Sequence, residues 1–172
     1  RGEVLFPSLR IDATTLIEPG SCFAGTLAEL IFACDRALMF DGQMKGDNRP
    51  AAAVTLTELN FGRYPMSNGI TRLQTRFLGE PETIEAAKTQ IGKPLDGTDA
   101  DRLGLVTESF DEVDWADEVR IFLEERASFS ADGLTGLEAN LRFAGPETME
   151  TKIFGRLSAW QNWIFTRANS TG

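Results

Sequence analysis

Hydrophobic and polar positions along the chain fall into short, well-separated runs. The segment IDATTLI, Ile11 to Ile17, is rich in β-branched residues and predicts a buried strand ahead of the Pro19-Gly20 turn. From Gly25 to Cys34 the period changes. Leu27, Leu30, Ile31 and Cys34 stand at i, i+3, i+4 and i+7, which predicts a helix. RALMF predicts a second short strand, closed by the Asp41-Gly42 turn signal. After the polar loop QMKGDNRP, the run AAAVTL, Ala51 to Leu56, predicts a third strand.

The second half reads as mostly helical. SNGITRLQTRFLG follows Pro65, and PETIEAAKTQIG opens with Pro81 at a helix start. LDGTDADRLGLVTE predicts a short helix and a strand at Leu105 to Thr107. Asp114 is placed to cap a helix that turns Trp115, Val119, Phe122 and Leu123 inward, with Asp117 at its third position. SADGLTGLEANLRFAG is a further helix. The last begins at Gly145-Pro146 and sets Met149, Ile153, Leu157, Trp160 and Ile164 on one stripe. A few short strands beside many helices predict an α/β layer arrangement.

One polar position breaks the first helical pattern. Glu29 shares its face with Gly25, Phe32 and Ala33, so a carboxylate is expected in apolar surroundings. A lone buried acid costs several kcal/mol unless it is paired, hydrogen-bonded or neutralised. Two readings follow: a structural acid bonded to a neighbouring amide, or a carboxylate whose pKa desolvation lifts into acid–base range. Small residues around Gly25 favour the second, because they would bring backbone amides to a helix start where a developing oxyanion can be held. Glu58, after the third strand, is by itself an ordinary strand-end carboxylate.

Composition narrows the chemistry. The 172 residues include no histidine, which removes Ser-His-Asp and Cys-His catalysis and imidazole-held metals from within this chain. Acid–base work must then fall to carboxylates, Tyr64, lysines or thiols. With 17 basic against 26 acidic residues, a net charge of -9 argues against a surface that tracks nucleic-acid phosphates. No apolar run approaches the roughly 20 residues of a membrane span. Cys22 and Cys34 lack metal-ligand spacing, and reduced thiols in a cytoplasm are the simplest account of them. The chain begins at Arg1 and is expected to be a piece of a longer protein.

Three landmarks, in order, resemble a known family. GTLAELIFACD, Gly25 to Asp35, is similar to the crotonase (enoyl-CoA hydratase/isomerase) signature: a small-residue oxyanion turn, Glu-Leu, then Cys-Asp ending six residues after the Glu. The family's next landmark is a Glu seven residues before a proline, and Glu58 stands seven before Pro65 in ELNFGRYPMSNGITRL. PLDGTDADRLGLVTE then resembles its Leu-Gly-Leu-Val segment. The block LTGLEANLRFAGPETMETKIFGRLSAWQNWIF, with LIEPGSCFAGTLAEL and DWADEVRIFLEERAS, narrows the resemblance to ring-opening members that act on an aromatic acyl-CoA.

The resemblance implies a ClpP/crotonase-like ββα spiral, here without its N-terminal strands and with a helical C-terminal part. Residues 1–110 would be the C-terminal part of the core. Residues 111–172 would be a helical extension packed on the core or on a partner subunit. It further implies that water opens the ring of 2,3-epoxybenzoyl-CoA, giving formate and a semialdehyde acyl-CoA in aerobic benzoate degradation. Glu29 and Glu58 would be the catalytic pair, and the amides of Gly25 and Thr26 the oxyanion donors. Thr26 replaces the usual glycine, yet an N–H needs no particular side chain. Cys22, Tyr64 and Asn68 are possible substrate contacts, each with an ordinary packing or capping alternative, and Arg63 is placed to meet a CoA phosphate or simply solvent. Crotonases take the other oxyanion amide and much of the CoA pocket from upstream strands, so this chain alone is not expected to turn over. No metal or redox cofactor is implied, coenzyme A being part of the substrate. Trp163, Phe165 and Phe154 exceed what one contact face requires and predict a homodimer or a contact with the missing part. The alternatives are a hydratase or isomerase for another enoyl-CoA, and a non-catalytic assembly module.

Overall fold

The computed structural model describes residues 11–21, 23–66, 68–141 and 148–171. Strand β1 (Ile11–Ile17), the two-residue strand β2 (Phe23–Ala24), helix α1 (Ala28–Ala33) and strand β3 (Cys34–Phe40) follow one another in the first part. β1 and β3 lie parallel, from Thr14 opposite Arg36 to Ile17 opposite Met39. Ala37, Leu38, Met39 and Phe40 are buried in succession, the signature of a parallel strand covered on both faces. A third parallel strand, Glu108–Phe110, joins this sheet, and β2 belongs to a second, smaller one.

Strand β4 (Val54–Thr55), a 3₁₀ turn (Glu58–Phe61), helices α2 (Arg72–Arg76) and α3 (Pro81–Lys88), strand β5 (Pro94–Leu95), helix α4 (Gly97–Arg102) and strand β6 (Glu108–Phe110) come next. β6 pairs parallel with Leu38–Phe40 of β3. β2 pairs parallel with β4, and β4 antiparallel with β5. Ile17, Ile31, Phe32, Met39, Val54, Leu56, Leu73, Phe77, Leu95 and Leu105 share one core.

The helix expected over Gly25 to Cys34 is shorter at both ends. Gly25 has φ +52 and donates its N–H to Thr55 O at 3.1 Å, so it belongs to the sheet. Cys34, at φ -81 and ψ 154, already has strand geometry. Of AAAVTL only Val54 and Thr55 pair as a strand. Met66 N–H donates to Ile70 O at 2.8 Å, and α2 starts only after its Thr71 cap. The strand expected at Leu105 to Thr107 lies at Glu108–Phe110, because the Leu105 N–H still bonds back to Ala100 O at 2.9 Å at the end of α4. Leu105 and Val106 are nevertheless buried.

Asp41, just past β3, accepts from Gly97 N–H at 3.2 Å and from the Thr98 hydroxyl at 2.6 Å, seating the start of α4 against the sheet. A Cβ on Gly97 would lie 2.6 Å from Asp41 Cβ, so only glycine fits. Trp115 packs edge-on against Phe40 with ring centroids 5.7 Å apart, and its indole N–H donates to Glu18 at 3.1 Å.

Helices α5 (Trp115–Ser128), α6 (Ala131–Leu141), α7 (Met149–Lys152), a π-helical turn (Ile153–Leu157), α8 (Ser158–Ile164) and α9 (Ala168–Thr171) make up the rest. The chain divides into compact units at 120/121, within α5, whereas the sequence suggests 110/111. In the first unit Trp115 of α5 is buried and Val119 half-buried. In the second unit Phe122 is half-buried but Leu123 is exposed, unlike the inward stripe expected. Arg156 donates to Asn140 O at 2.8 Å, and Ser130 to Asn169 Oδ1 at 2.9 Å. Trp160 and Trp163 meet edge to face, with Arg167 over the Trp163 ring. The π-helical turn interrupts the long apolar stripe, of which Ile153, Trp160 and Ile164 are half-buried and Met149 and Leu157 exposed, as are Phe154 and Phe165.

Candidate active site

β2 carries the chain to Gly25, where the positive φ allows a tight turn into α1. Leu27 N–H bonds to Ala24 O at 3.0 Å and Ala28 N–H to Gly25 O at 3.1 Å, closing that turn. A side chain at Gly25 would lie 3.2 Å from the Thr57 hydroxyl. The Gly25 N–H is already committed to Thr55 O, so of the two amides expected as oxyanion donors only that of Thr26 takes no acceptor among the described residues.

Glu29 follows in the first turn of α1 and is 6% exposed. Its Oε1 accepts from the Asn60 amide at 2.7 Å, and its Oε2 from Arg72 Nη1 at 3.1 Å. Burial pushes its carboxyl above the ordinary value, while the Asn60 hydrogen bond and the Arg72 charge pull part of the way back. The carboxylate is thus both bonded to an amide and lifted in pKa, and the two readings of the sequence describe one side chain.

Glu58 opens the 3₁₀ turn and is exposed. Thr57 and Asn60 cap this turn reciprocally, and Asn60 also reaches Glu29. One short segment therefore links the surroundings of the two glutamates. The Tyr64 phenol shares a 2.8 Å hydrogen bond with the Thr26 hydroxyl, which joins two residues singled out by sequence at the mouth of the turn. Asn68 is exposed, and its Oδ1 accepts from Ile70 N–H at 3.3 Å. Arg63 is exposed. Cys22 lies outside the described residues. Cys34 sits on the far end of α1, bonded to Thr15 and to Leu30 O, with burial raising its thiol pKa.

Asn60 and Arg72 were not foreseen. Their signal was present, since a buried carboxylate demands donors, and each is a polar residue beside apolar ones, in LNF and TRL. What the chain does not show locally is which donor meets which acid, because the contacts span 31 and 43 residues.

No protein-family profile matches the chain. Benzoyl-CoA-dihydrodiol lyase of Aromatoleum evansii is 52% identical over 168 residues, which are 95% of this chain and 29% of that protein. The chain therefore spans less than a third of the length of the curated relative it matches. Among solved structures, an enoyl-CoA hydratase from Thermoplasma volcanium superposes with a TM-score of 0.62 at 15% identity, over 91% of this chain and 56% of that one. An enoyl-CoA hydratase/isomerase from Cupriavidus metallidurans gives 0.59 at 21% identity, over 90% and 52%. The chain has the crotonase fold of the enoyl-CoA hydratases, and over nearly all of its length it is a sequence relative of benzoyl-CoA-dihydrodiol lyase.

Proposed function

We propose that this chain carries the carboxylate-bearing part of an acyl-CoA lyase site that opens the ring of 2,3-epoxybenzoyl-CoA with water, giving formate and a semialdehyde acyl-CoA. One observation carries the reading. In a chain 52% identical to benzoyl-CoA-dihydrodiol lyase, a buried carboxyl of raised pKa, Glu29, stands one helical turn from the Thr26 amide. Opening an epoxide requires an acid at the leaving oxygen and a base for the attacking water. Glu29 and Glu58 lie in different environments, buried and exposed, and can divide those tasks without histidine. The Thr26 N–H donates to the thioester oxygen as charge gathers there, with a second amide supplied from outside this chain. Tyr64 and Asn68 line the approach to the ring.

The reading asks for no metal or redox cofactor, coenzyme A being part of the substrate. It includes a cytoplasmic homo-oligomer. The test is product analysis of the protein that carries this chain, given 2,3-epoxybenzoyl-CoA and, separately, an unsaturated acyl-CoA. Formate release from the first supports the lyase. Hydration of the second alone moves the assignment to a hydratase. Glu29→Gln and Glu58→Gln should each lower turnover by roughly 10²–10⁴-fold with thioester binding little changed. The double variant should lose far less than the product of the two effects. Near-normal ring opening in either single variant removes that glutamate from the chemistry.

A further inference from the structure

Asn60 is 1% exposed and uses its whole hydrogen-bonding capacity. Its Nδ2 donates to Gly25 O at 2.8 Å and to Glu29 Oε1 at 2.7 Å. Its Oδ1 accepts from Thr57 N–H at 2.9 Å and from the Thr57 hydroxyl at 3.4 Å. A turn cap needs only the second pair of contacts. The first pair reaches across to a different element and touches both the glycine turn and the acid.

We propose that Asn60 is a positioning residue of this site, holding the Glu29 carboxylate, the turn that presents the Thr26 amide and the turn that bears Glu58 in one fixed arrangement. The inference rests on the acyl-CoA reading above for what the arrangement serves. A buried amide with four partners has no alternative rotamer that satisfies them, so displacing one partner displaces the others. The Nδ2 bond to an ionised oxygen also favours the charged form of Glu29. The charged group that meets Glu29 from the packed elements is Arg72 on α2. From β3, the Cys34 thiol turns to Thr15 and Leu30 O, while Asp35, Arg36 and the nearby Glu58 are exposed. β2 contributes no titratable residue, and neither does Thr14 to Ile17 of β1.

The experiment uses the protein that carries this chain. Asn60→Ala removes all four bonds. Asn60→Asp keeps an acceptor for Thr57 but takes away the donor and sets a like charge beside Glu29. Each should lower kcat by about tenfold or more, the scale of one hydrogen bond to a charged group, with KM little changed. The limb of the pH–rate profile that Glu29 sets, acid or alkaline according to its role, should move to higher pH in both, and further for Asp. A residue with only a structural role would lower the melting temperature and leave that limb in place. That outcome overturns the proposal.

Should the variants fail to fold, the wild-type protein decides, with its asparagines labelled in the side-chain amide. The Asn60 amide signal should titrate with the midpoint of the limb that Glu29 sets, and Glu29→Gln should abolish that response. An Asn60 signal indifferent to pH overturns the proposal even in an active enzyme. A protein that titrates as described but releases no formate keeps the Asn60 assignment and fails the substrate reading instead.

Discussion

Arg72 on α2 and Glu29 on α1 form an ion pair, Nη1 to Oε2 at 3.1 Å, with both side chains almost completely removed from solvent. The pair ties α1 to α2. Burying both charges is costly, and the Asn60 donor helps to offset that cost.

Removing one partner should therefore be severe. Arg72→Met leaves the carboxylate with a single donor in a poorly solvated place and is expected to cost about 3–5 kcal/mol of unfolding free energy. Denaturant titration checks it, with the midpoint falling and the slope unchanged. A loss within the ordinary surface range, about 0.5 kcal/mol, would mean that water reaches Glu29.

Glu29 also fixes a pH dependence. Its carboxyl has a higher pKa folded than its ordinary 4.5, so between those two values the folded state binds more protons than the unfolded one. Its contribution to stability is fully present below the ordinary value and is lost as pH rises through the folded value. Glu29→Gln cannot titrate. The difference in unfolding free energy between wild type and Glu29→Gln should drift in favour of the variant as pH rises through that window. A difference independent of pH would contradict the raised pKa.

Gly25→Ala tests the turn itself. The left-handed φ costs an alanine roughly 1–2 kcal/mol, and its Cβ would press on the Thr57 hydroxyl at 3.2 Å and on Thr57 Cγ2 at 3.4 Å. Pairing it with Thr57→Ala removes both contacts but not the backbone strain. The double variant should be more stable than the sum of the two single losses, as a double-mutant cycle on thermal melts would show. Additive losses would assign the whole effect to φ.

Trp115 separates packing from hydrogen bonding. Trp115→Phe keeps a ring against Phe40 and loses the bond to Glu18, a change expected near 1 kcal/mol. Trp115→Ala empties the site and should cost about 3–5 kcal/mol. Equal losses in urea unfolding would mean that the Glu18 bond, not the ring, holds α5 to the sheet.

Strand and helix types were legible wherever one period ran unbroken, as in IDATTLI and PETIEAAK. Ends were less so. Gly25 and Cys34 fit the helical spacing, yet sheet hydrogen bonding takes Gly25 and extended backbone takes Cys34. The acid was visible because a carboxylate in an apolar run is conspicuous. Its partners were not, since Asn60 and Arg72 lie 31 and 43 residues away along the chain and only the fold brings them to Glu29. The long C-terminal stripe holds only in part, with Ile153, Trp160 and Ile164 half-buried but Met149 and Leu157 exposed. A π-helical turn shifts its phase, which no 3.6-residue period anticipates.

Helix α1 ends at Ala33 and β3 begins at Cys34, with no linking residue between them. The two elements are geared. Adding or removing one residue at this joint turns Glu29 by about 100° around its axis relative to the strand, or else slips β3 and swaps its two faces. Length variation among relatives should therefore gather in the polar loop after Phe40 and be absent from the joint. The aim of the acid is set by counting residues as much as by contacts, and a protein that keeps every named side chain could still lose it through one codon's insertion.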